Sequence, residues 1–335
     1  MNADPWSVLI ITHYGGAPLE ECIRSIQSQT VSPNRIVVVV TAEQSLTIEG
    51  VEVICLQRNA HYAEGVNVGI DALADENILI LNDDTVLAPD CIQEISMQGT
   101  DRIIQPQICL QANPDQLDNI GHKIWPDGMN FAYKRGQKQK NYPKEALLIF
   151  SGAAVALPTK IIARVGKFDV RLSPFGEDVD YALRASRRGV IIQSCPKAKV
   201  YHRLGGSYGR VSNQKIFWVE RHRLLLMLKS APPALIFCLP LSSVLRYLLQ
   251  VYGALNNQGT APSPRFEHML AIFKAYISAS RSASSMLQSR KQEQIEWTLN
   301  NRTFLQQWFK QLPSLNEIWH PPLGSSSPHT EPNPH

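Results

Sequence analysis

The sequence predicts an α/β protein built on a doubly wound, mostly parallel β-sheet. Short runs of aliphatic and β-branched residues recur through the first quarter of the chain, and segments with helical spacing lie between them. Alternation of strands and helices is typical of a parallel sheet whose crossover helices cover both faces. Most runs are apolar at consecutive positions, which indicates strands buried on both faces.

The elements follow one another in a regular order. In chain order they are strand 7–12, helix 19–30, strand 35–40, strand 51–56, turn and helix 62–75, and strand 77–82. In doubly wound sheets, ligands bind beyond the carboxyl ends of the strands. We therefore expect functional side chains just after these strands.

Composition places the chain among globular proteins. Of its 335 residues, 44% are hydrophobic and 19% charged, which is enough to bury one large core or two smaller ones. The net charge of +4 is too mild to indicate a nucleic-acid partner. The six cysteines form no C-x-x-C pair or zinc pattern, and the amino terminus lacks the features of a secretory signal. We expect a reducing, cytoplasmic compartment.

Paired acids follow the strand that ends at residue 82. Alternation along a strand would put Asn82 and Asp84 on one face and Asp83 on the other. Oxygen ligands converging in this way suit Mg²⁺ or Mn²⁺, with substrate phosphates completing the shell. A plain turn or helix cap built from Asn and Asp is the alternative interpretation.

A second acidic cluster lies in the segment SPFGEDVDYALRASRRG. Glu177, Asp178 and Asp180 stand where a helix would begin after Gly176, and Gly189 would end that helix. Acids at a helix start also complement the helix dipole. Both a capping role and a chemical role therefore stay open.

The last third of the chain predicts helices. The apolar stretch 235–255 is interrupted by Pro240 and Arg246, and a central arginine costs roughly 2.5 to 3.5 kcal/mol on insertion scales. This favours an interfacial or packed helix over a spanning one. The segment before it carries Arg210, Lys215, Arg221, His222, Arg223 and Lys229. It could be a solvated helix face, or it could contact phosphates or anionic lipid headgroups.

Five segments together resemble the family 2 glycosyltransferases of the nucleotide-diphospho-sugar transferase (GT-A) fold, most closely its rhamnosyltransferase-like branch. In chain order they are SVLIITHY, RNAHYAEGVNVGI, ILILNDDTVLAPDCI, IFSGAAVALPTKIIARVGKFDVRLSPFGEDVDYALRASRRG and AKVYHRLGGS. The resemblance covers residues 6–230 and is most specific between 148 and 207.

The resemblance implies roles for particular residues. Substrate binding falls to Thr12, Asn59, Gly65, Asn82, Asp83, Ser151, Gly152 and Arg210. Thr12 would lie in the nucleotide pocket, Asn59 and Gly65 would cover the donor, and Ser151 and Gly152 would line the acceptor side.

The resemblance also implies the metal ligands and the catalytic acids. Asp84 and His202 would hold Mg²⁺ or Mn²⁺ near the diphosphate. Asp178 would be the general base, with Glu177 beside it. In such a transfer one carboxylate takes the proton of the acceptor hydroxyl while a metal neutralises the departing phosphates.

The chain departs from the family pattern at one point. The family usually has an Asp after the second strand, where it contacts the nucleotide base, but Thr41 and Ala42 stand here. Glu43 is a candidate substitute. The sequence also lacks the Q-x-x-R-W motif of processive synthases, which indicates transfer of single sugars.

The expected function is therefore inverting, metal-dependent transfer of one sugar, with rhamnose a candidate, from a nucleotide-diphospho-sugar to a cell-surface glycan or lipid-linked acceptor. The expected location is the cytoplasmic face of the membrane, as a peripheral protein. Two alternatives are a non-catalytic nucleotide-sugar-binding relic and a sugar-nucleotide pyrophosphorylase. The second would need a glycine-rich loop near the first strand, where THYGGAP has only two adjacent glycines.

The chain is expected to divide into three regions. They are a catalytic domain over 1–230, a helical extension over 231–322 and a disordered tail over 323–335.

Overall fold

The structure is a computed structural model that describes residues 5–203, 212–256 and 265–319. The strands are β1 Trp6–Thr12, β2 Ile36–Val40, β3 Glu52–Cys55, β4 Asn77–Asn82, β5 Thr85–Leu87, β6 Arg102–Leu110, β7 Asn113–Asn119, β8 His122–Ile124, β9 Asn130–Ala132, β10 Ala146–Leu147, β11 Ala154–Leu157 and β12 Ile191–His202. The helices are α1 Ala17–Gln27, α2 Tyr62–Ala72, α3 Cys91–Ser96, α4 Thr159–Val165, α5 Glu177–Arg187, α6 Asn213–Ser230, α7 Pro233–Leu255, α8 Phe266–Gln294, α9 Asn301–Lys310 and α10 Leu315–Ile318.

One central sheet organises the molecule. Its order is β10-β12-β6-β11-β4-β1-β2-β3, with β5 added to β12 and β7 to β6. The half formed by β4, β1, β2 and β3 is parallel, as predicted. The other half is mixed, because β11 runs antiparallel to both β4 and β6 while β6 and β12 are parallel. The sheet is thus α/β but less uniformly parallel than the sequence predicted.

Helices cover both faces of the sheet. Along β1, Val8 and Ile10 pack with α1 in one core cluster, while Leu9 and Ile11 pack with α2 in the other. Successive strand residues point to opposite faces, so a strand buried on both sides must be apolar throughout. The expected doubly wound arrangement is confirmed for these elements.

The helices after α5 pack against the sheet domain and one another. α6 lies between α5 and α8, and the side chains of Met286, Phe304 and Trp308 belong to the same core cluster as residues of the sheet. The three predicted regions remain predictions. The predicted tail, 323–335, lies outside the described residues altogether.

The sequence predicted that the basic residues of α6 contact solvent, phosphates or lipid headgroups. This prediction is wrong for three of them. His222, Arg223 and Lys229 are each at most 2% exposed. Arg223 pairs with Glu220 and Asp127, so its charge is satisfied inside the protein rather than at a surface. Of the residues that the structure describes, one helix, α7, is long and apolar enough to cross a membrane.

Candidate active site

The predicted site residues gather where β1, β4 and β12 end. Thr12 closes β1, Asn82 closes β4 and His202 closes β12. The antiparallel strand β11 begins at the same edge, since the N–H of Asn82 donates to the carbonyl of Ala153 at 3.0 Å. Ser151 and Gly152, just before β11, are therefore brought to the edge where a doubly wound sheet binds ligands.

The two adjacent acids point to different partners. β4 ends at Asn82 and a turn begins at Asp83, so the alternation of a strand does not extend to Asp84. The hydroxyl of Thr12 donates to Asp83, and the N–H of Gly15 donates to that same hydroxyl at 2.9 Å. Burial, together with the charge of Asp84, raises the pKa of Asp83 despite the bond from Thr12.

Asp84 faces His202 on the far side of the turn. Asp84 Oδ1 lies 3.3 Å from His202 Nε2. His202 Nδ1 lies 2.9 Å from Asp118 Oδ2, and the guanidinium of Arg135 also donates to Asp118. Burial disfavours the charged form of the His202 ring, but the hydrogen bond to Asp118 and the charges of Asp118 and Asp84 outweigh burial and raise the pKa of His202 to about 10.

The acceptor side is built from the loop before β11 and the start of α5. Asp178 Oδ2 accepts from the N–H of Gly152 at 3.1 Å, and Asp178 Oδ1 accepts from the N–H of Val179 at 2.8 Å. Tyr62 donates its hydroxyl to the carbonyl of Gly152 at 2.7 Å. The N–H of Ser151 is held at 2.6 Å by the amide oxygen of Gln105.

Glu177 and Asp178 occupy different environments although they are neighbours in sequence. Glu177 is buried and accepts from the N–H of Gly176 at 2.9 Å, whereas Asp178 is half-buried. Burial and the nearby charge of Asp178 raise the pKa of Glu177 to about 8. This shift favours the protonated form of Glu177 near neutral pH.

His122 links the two acidic centres. Burial lowers its pKa, and the charges of Asp178 and Asp118 act in the opposite direction. The backbone N–H of His122 donates to the carbonyl of Ile149 at 3.0 Å, which ties β8 to the loop before β11 that carries Gly152. The donor-side and acceptor-side residues therefore belong to one site.

Comparison with known proteins shows the family of the chain. Residues 5–220 match the sequence profile of the family described as "Glycosyltransferase like family 2", which is more than half of the chain. The chain belongs to this family. No curated protein matches the sequence significantly.

Two solved structures share the fold of this family 2 chain. GalNAc-T7, crystallised with UDP, GalNAc and Mn²⁺, has a TM-score of 0.52 and 14% identity over 67% of this chain and 50% of its own. TarS from S. aureus has a TM-score of 0.52 and 12% identity over 87% of this chain and 55% of its own. The chain thus spans about half the length of these two proteins. The GT-A fold expected from the sequence is confirmed.

The residues present in this family 2 site fit a divalent ion. Asp84 Oδ1 is buried and makes no well-directed hydrogen bond, yet it lies 3.3 Å from His202 Nε2. Two ligands at right angles on Mg²⁺ are about 3 Å apart, given bond lengths of roughly 2.1 Å. The bond to Asp118 orients the ring, as carboxylates commonly do for metal-binding histidines. Among the described residues, no group of three His, Cys, Asp or Glu side chains is arranged to hold a metal ion, so Asp84 and His202 would supply two ligands.

Two of the predicted residues, Asn59 and Gly65, do not join this cluster. Asn59 is exposed in the loop before α2, and Arg210 lies outside the described residues. Gly65 is buried in α2, where an added Cβ would lie 2.8 Å from Thr41 Cγ2 and 3.2 Å from Ile11 Cγ2. The structure therefore gives Gly65 a packing role, and its contact with a donor remains a prediction.

Sequence reasoning did not find Asp118, His122, Arg135 or Tyr62. Asp118 and His122 flank Gly121, which has φ of +110° and could not hold a Cβ, because Leu147 Cδ1 would be 2.7 Å away. An acid and a histidine around an Asn-x-Gly turn are only a weak signal in sequence. Pairing between distant elements brings these residues into the site.

Proposed function

We propose that the protein is a metal-dependent, inverting glycosyltransferase that moves one sugar from a nucleotide-diphospho-sugar to a hydroxyl of a glycan or lipid-linked acceptor. The observation that carries the proposal is the pair of acidic centres around His122. One centre contains Asp83 and Asp84, and the other contains Glu177 and Asp178. A transfer of this kind needs one polar centre for the leaving diphosphate and another for the attacking hydroxyl.

The donor side suits a nucleoside diphosphate. A Mg²⁺ or Mn²⁺ ion held by Asp84 and His202 would neutralise the charge that the diphosphate gains as it leaves. The Mn²⁺ and UDP named with GalNAc-T7 favour the same ligand class here. The bond from Thr12 holds Asp83 toward β1, where the predicted nucleotide pocket lies.

The acceptor side suits proton removal. The acceptor oxygen attacks the anomeric carbon on the face opposite the diphosphate, its proton passes to Asp178, and the carbon–oxygen bond to the phosphate breaks with its electron pair leaving on the diphosphate. Asp178 can accept the proton because Glu177 carries its own. The N–H of Gly152 holds Asp178 in position for this step, and positioning supplies much of the rate gain in such reactions.

The finer assignments rest on the sequence resemblance. Rhamnose is the sugar suggested by the rhamnosyltransferase-like branch, and transfer of single sugars is suggested by the lack of a Q-x-x-R-W motif. Thr41 is tied into the donor side, since its hydroxyl lies 3.1 Å from His13 Nδ1. A threonine makes a weaker contact with a base than the usual Asp, so we expect modest selectivity among nucleotide bases.

We propose a cytoplasmic location. All six cysteines are free, and five of them are at least partly buried, which suits a reducing compartment.

A panel of nucleotide sugars with Mn²⁺ tests the function. A donor at a hundred times its dissociation constant should raise the free energy of unfolding by about 2.7 kcal/mol. Donors that stabilise the protein should then release nucleoside diphosphate when acceptors are added. Stabilisation without any hydrolysis or transfer would indicate the non-catalytic binding protein instead, and no stabilisation by any donor would overturn the proposal.

A further inference from the structure

Helix α7 is arranged with its polar side inward. Its buried side chains include Ser242, Ser243 and Arg246, whereas large apolar side chains face out. The exposed set is Phe237, Leu241, Val244, Leu245, Leu248, Val251, Tyr252 and Leu255. Phe237 is 88% exposed and Leu241 75% exposed. In a soluble helix the apolar stripe normally faces the core, so this orientation needs a cause and an occupant for the outer face.

Ion pairs fix the orientation of α7. Arg246 donates to Asp127 Oδ2 at 2.8 Å and to Glu220 Oε1 at 2.9 Å, and all three side chains are buried. Rotating α7 to bury its leucines would expose Arg246. Asp127 and Glu220 would then stay buried with one cation fewer to offset their charge, which is strongly unfavourable. The outward apolar face is therefore built into the fold.

The first half of α8 continues this apolar face. Its buried side is a stripe of Ala271, Ala275 and Ala279, which lets α8 approach α6 closely. Its outer side carries Phe266, Met269, Leu270, Phe273, Tyr276 and Ile277.

Arg223 of α6 joins the two helices. Its guanidinium donates to Ser243 Oγ of α7 at 3.2 Å and to the hydroxyl of Tyr276 of α8 at 3.1 Å. The two apolar strips therefore border the same buried arginine, and together we call them the α7–α8 face.

The segments outside the described residues offer little apolar sequence to match the α7–α8 face. The segments outside the described residues are MNAD, LGGSYGRV, NQGTAPSP and HPPLGSSSPHTEPNPH, and none contains a run of large apolar residues. Exposed apolar surfaces of this extent mark sites for a protein partner or a membrane.

The chemistry of the face favours a lipid bilayer. Arg246 is the only charged residue of α7 and it points inward, so the outer face of α7 carries no charge. Protein interfaces normally have a polar rim, whereas a face that enters the acyl boundary of a bilayer does not need one. The exposed cations Arg265, just before α8, and Lys274 and Arg281 of α8 outnumber the exposed Glu267 of its first turn and can meet anionic headgroups.

Aromatic residues support the same occupant. Tyr252, near the end of α7, packs against Trp319 with ring centroids 5.6 Å apart, and both residue types concentrate at membrane–water boundaries. The pairs that hold Arg246 in the protein make it costly for α7 to leave the domain and span the bilayer.

We propose that the α7–α8 face docks the protein on an anionic membrane, with α7 lying in the plane of the interface and its outer leucines in the acyl boundary. This proposal goes beyond sugar transfer and does not depend on it, because docking is measured without a donor.

Flotation with vesicles tests the proposal. The purified full chain is mixed with phosphatidylcholine vesicles that contain or lack phosphatidylglycerol, and the vesicle-bound fraction is measured at low and high salt. The double variant Leu241→Glu/Leu248→Glu should bind anionic vesicles about a hundredfold more weakly, since each leucine that enters the acyl layer contributes roughly tenfold or more. The matched control is Met97→Glu, which alters an exposed apolar residue, 58% exposed, after α3 and should bind like the unchanged protein.

Thermal unfolding of each variant establishes that it is folded. Because the substituted side chains are exposed, we expect little change in the unfolding temperature. The proposal is supported if vesicle binding falls only in the α7 variant and if part of the binding of the unchanged protein persists at high salt. Three results would overturn it: no flotation of the unchanged protein, equal binding by the α7 variant, or a dimer that the α7 variant dissociates while vesicles bind neither form.

Discussion

Asp178 Oδ2 accepts a hydrogen bond of 3.1 Å from the backbone N–H of Gly152. This bond joins the start of α5 to the loop before β11, and space at residue 152 is tight, since a Cβ there would lie 3.3 Å from the same oxygen. The acid proposed to take the proton is therefore positioned by a backbone group.

The first prediction concerns that acid. Asp178→Asn keeps size and hydrogen-bonding capacity but cannot accept a proton, so turnover should fall about 10² to 10⁴-fold while donor affinity holds. Turnover and donor affinity are measured on both this variant and Glu177→Gln. Because Glu177 is already protonated at neutral pH, Glu177→Gln should be much milder. Near-native turnover in Asp178→Asn would place the base elsewhere.

The second prediction concerns the pH dependence of stability. Glu177 has its pKa raised from an ordinary 4.5 to about 8 in the folded protein. The folded chain then binds the proton more tightly than the unfolded chain, so the stabilisation is complete below about pH 4.5 and is lost as the pH rises toward 8.

The pH dependence of the Glu177→Gln variant measures this contribution. A pKa difference of one between folded and unfolded chains corresponds to about 1.4 kcal/mol. The free energy of unfolding of the unchanged protein, compared with that of the variant, should therefore fall by more than this amount between pH 4.5 and 8. Parallel curves for the two proteins would show that Glu177 ionises normally.

The third prediction concerns the metal. Calorimetry of nucleoside-diphosphate binding should show weaker binding when a chelator removes divalent ions, and Asp84→Ala should bind weakly with or without the metal. Asp71→Ala is the control, because Asp71 is 63% exposed and pairs with Lys167 away from the site. Equal affinity for the unchanged protein and Asp84→Ala in both conditions would exclude the metal assignment.

The fourth prediction separates packing from donor contact at Gly65. An added methyl group would meet the β-branched side chains of Thr41 and Ile11, which have little rotamer freedom. Gly65→Ala should therefore lower the free energy of unfolding by about 1 to 3 kcal/mol, as measured by urea titration. Unchanged stability with reduced donor affinity would instead make Gly65 a donor-contacting residue.

The fifth prediction concerns the buried ion network. Arg246→Leu removes one cation from beside Asp127 and Glu220, and breaking a buried pair costs about 3 to 5 kcal/mol. Arg24→Leu is the control, since Arg24 and its partner Glu20 are each 66% exposed. Similar urea midpoints for the two variants would mean that Arg223 alone satisfies both carboxylates.

Local pattern was sufficient for the amino-terminal half of the sheet. The runs at 7–12, 35–40 and 77–82 became β1, β2 and β4 with nearly the predicted bounds, because a strand buried on both faces must be apolar throughout and is easily recognised. The ordered motifs likewise identified Asp84, Asp178 and His202, which the fold gathers at one edge of the sheet. The family follows from those motifs together with their order.

Tertiary structure alone decided the rest. The raised pKa of Glu177 depends on the burial of its side chain, which neighbouring positions in a sequence do not reveal. Asp118 and His122 enter the site through the pairing of β6 with β7 and of β8 with β9, and such long-range pairing leaves no local pattern. The inward turn of Arg246 follows from Asp127 and Glu220, which are distant in sequence, and it determines that the apolar side chains of α7 face outward.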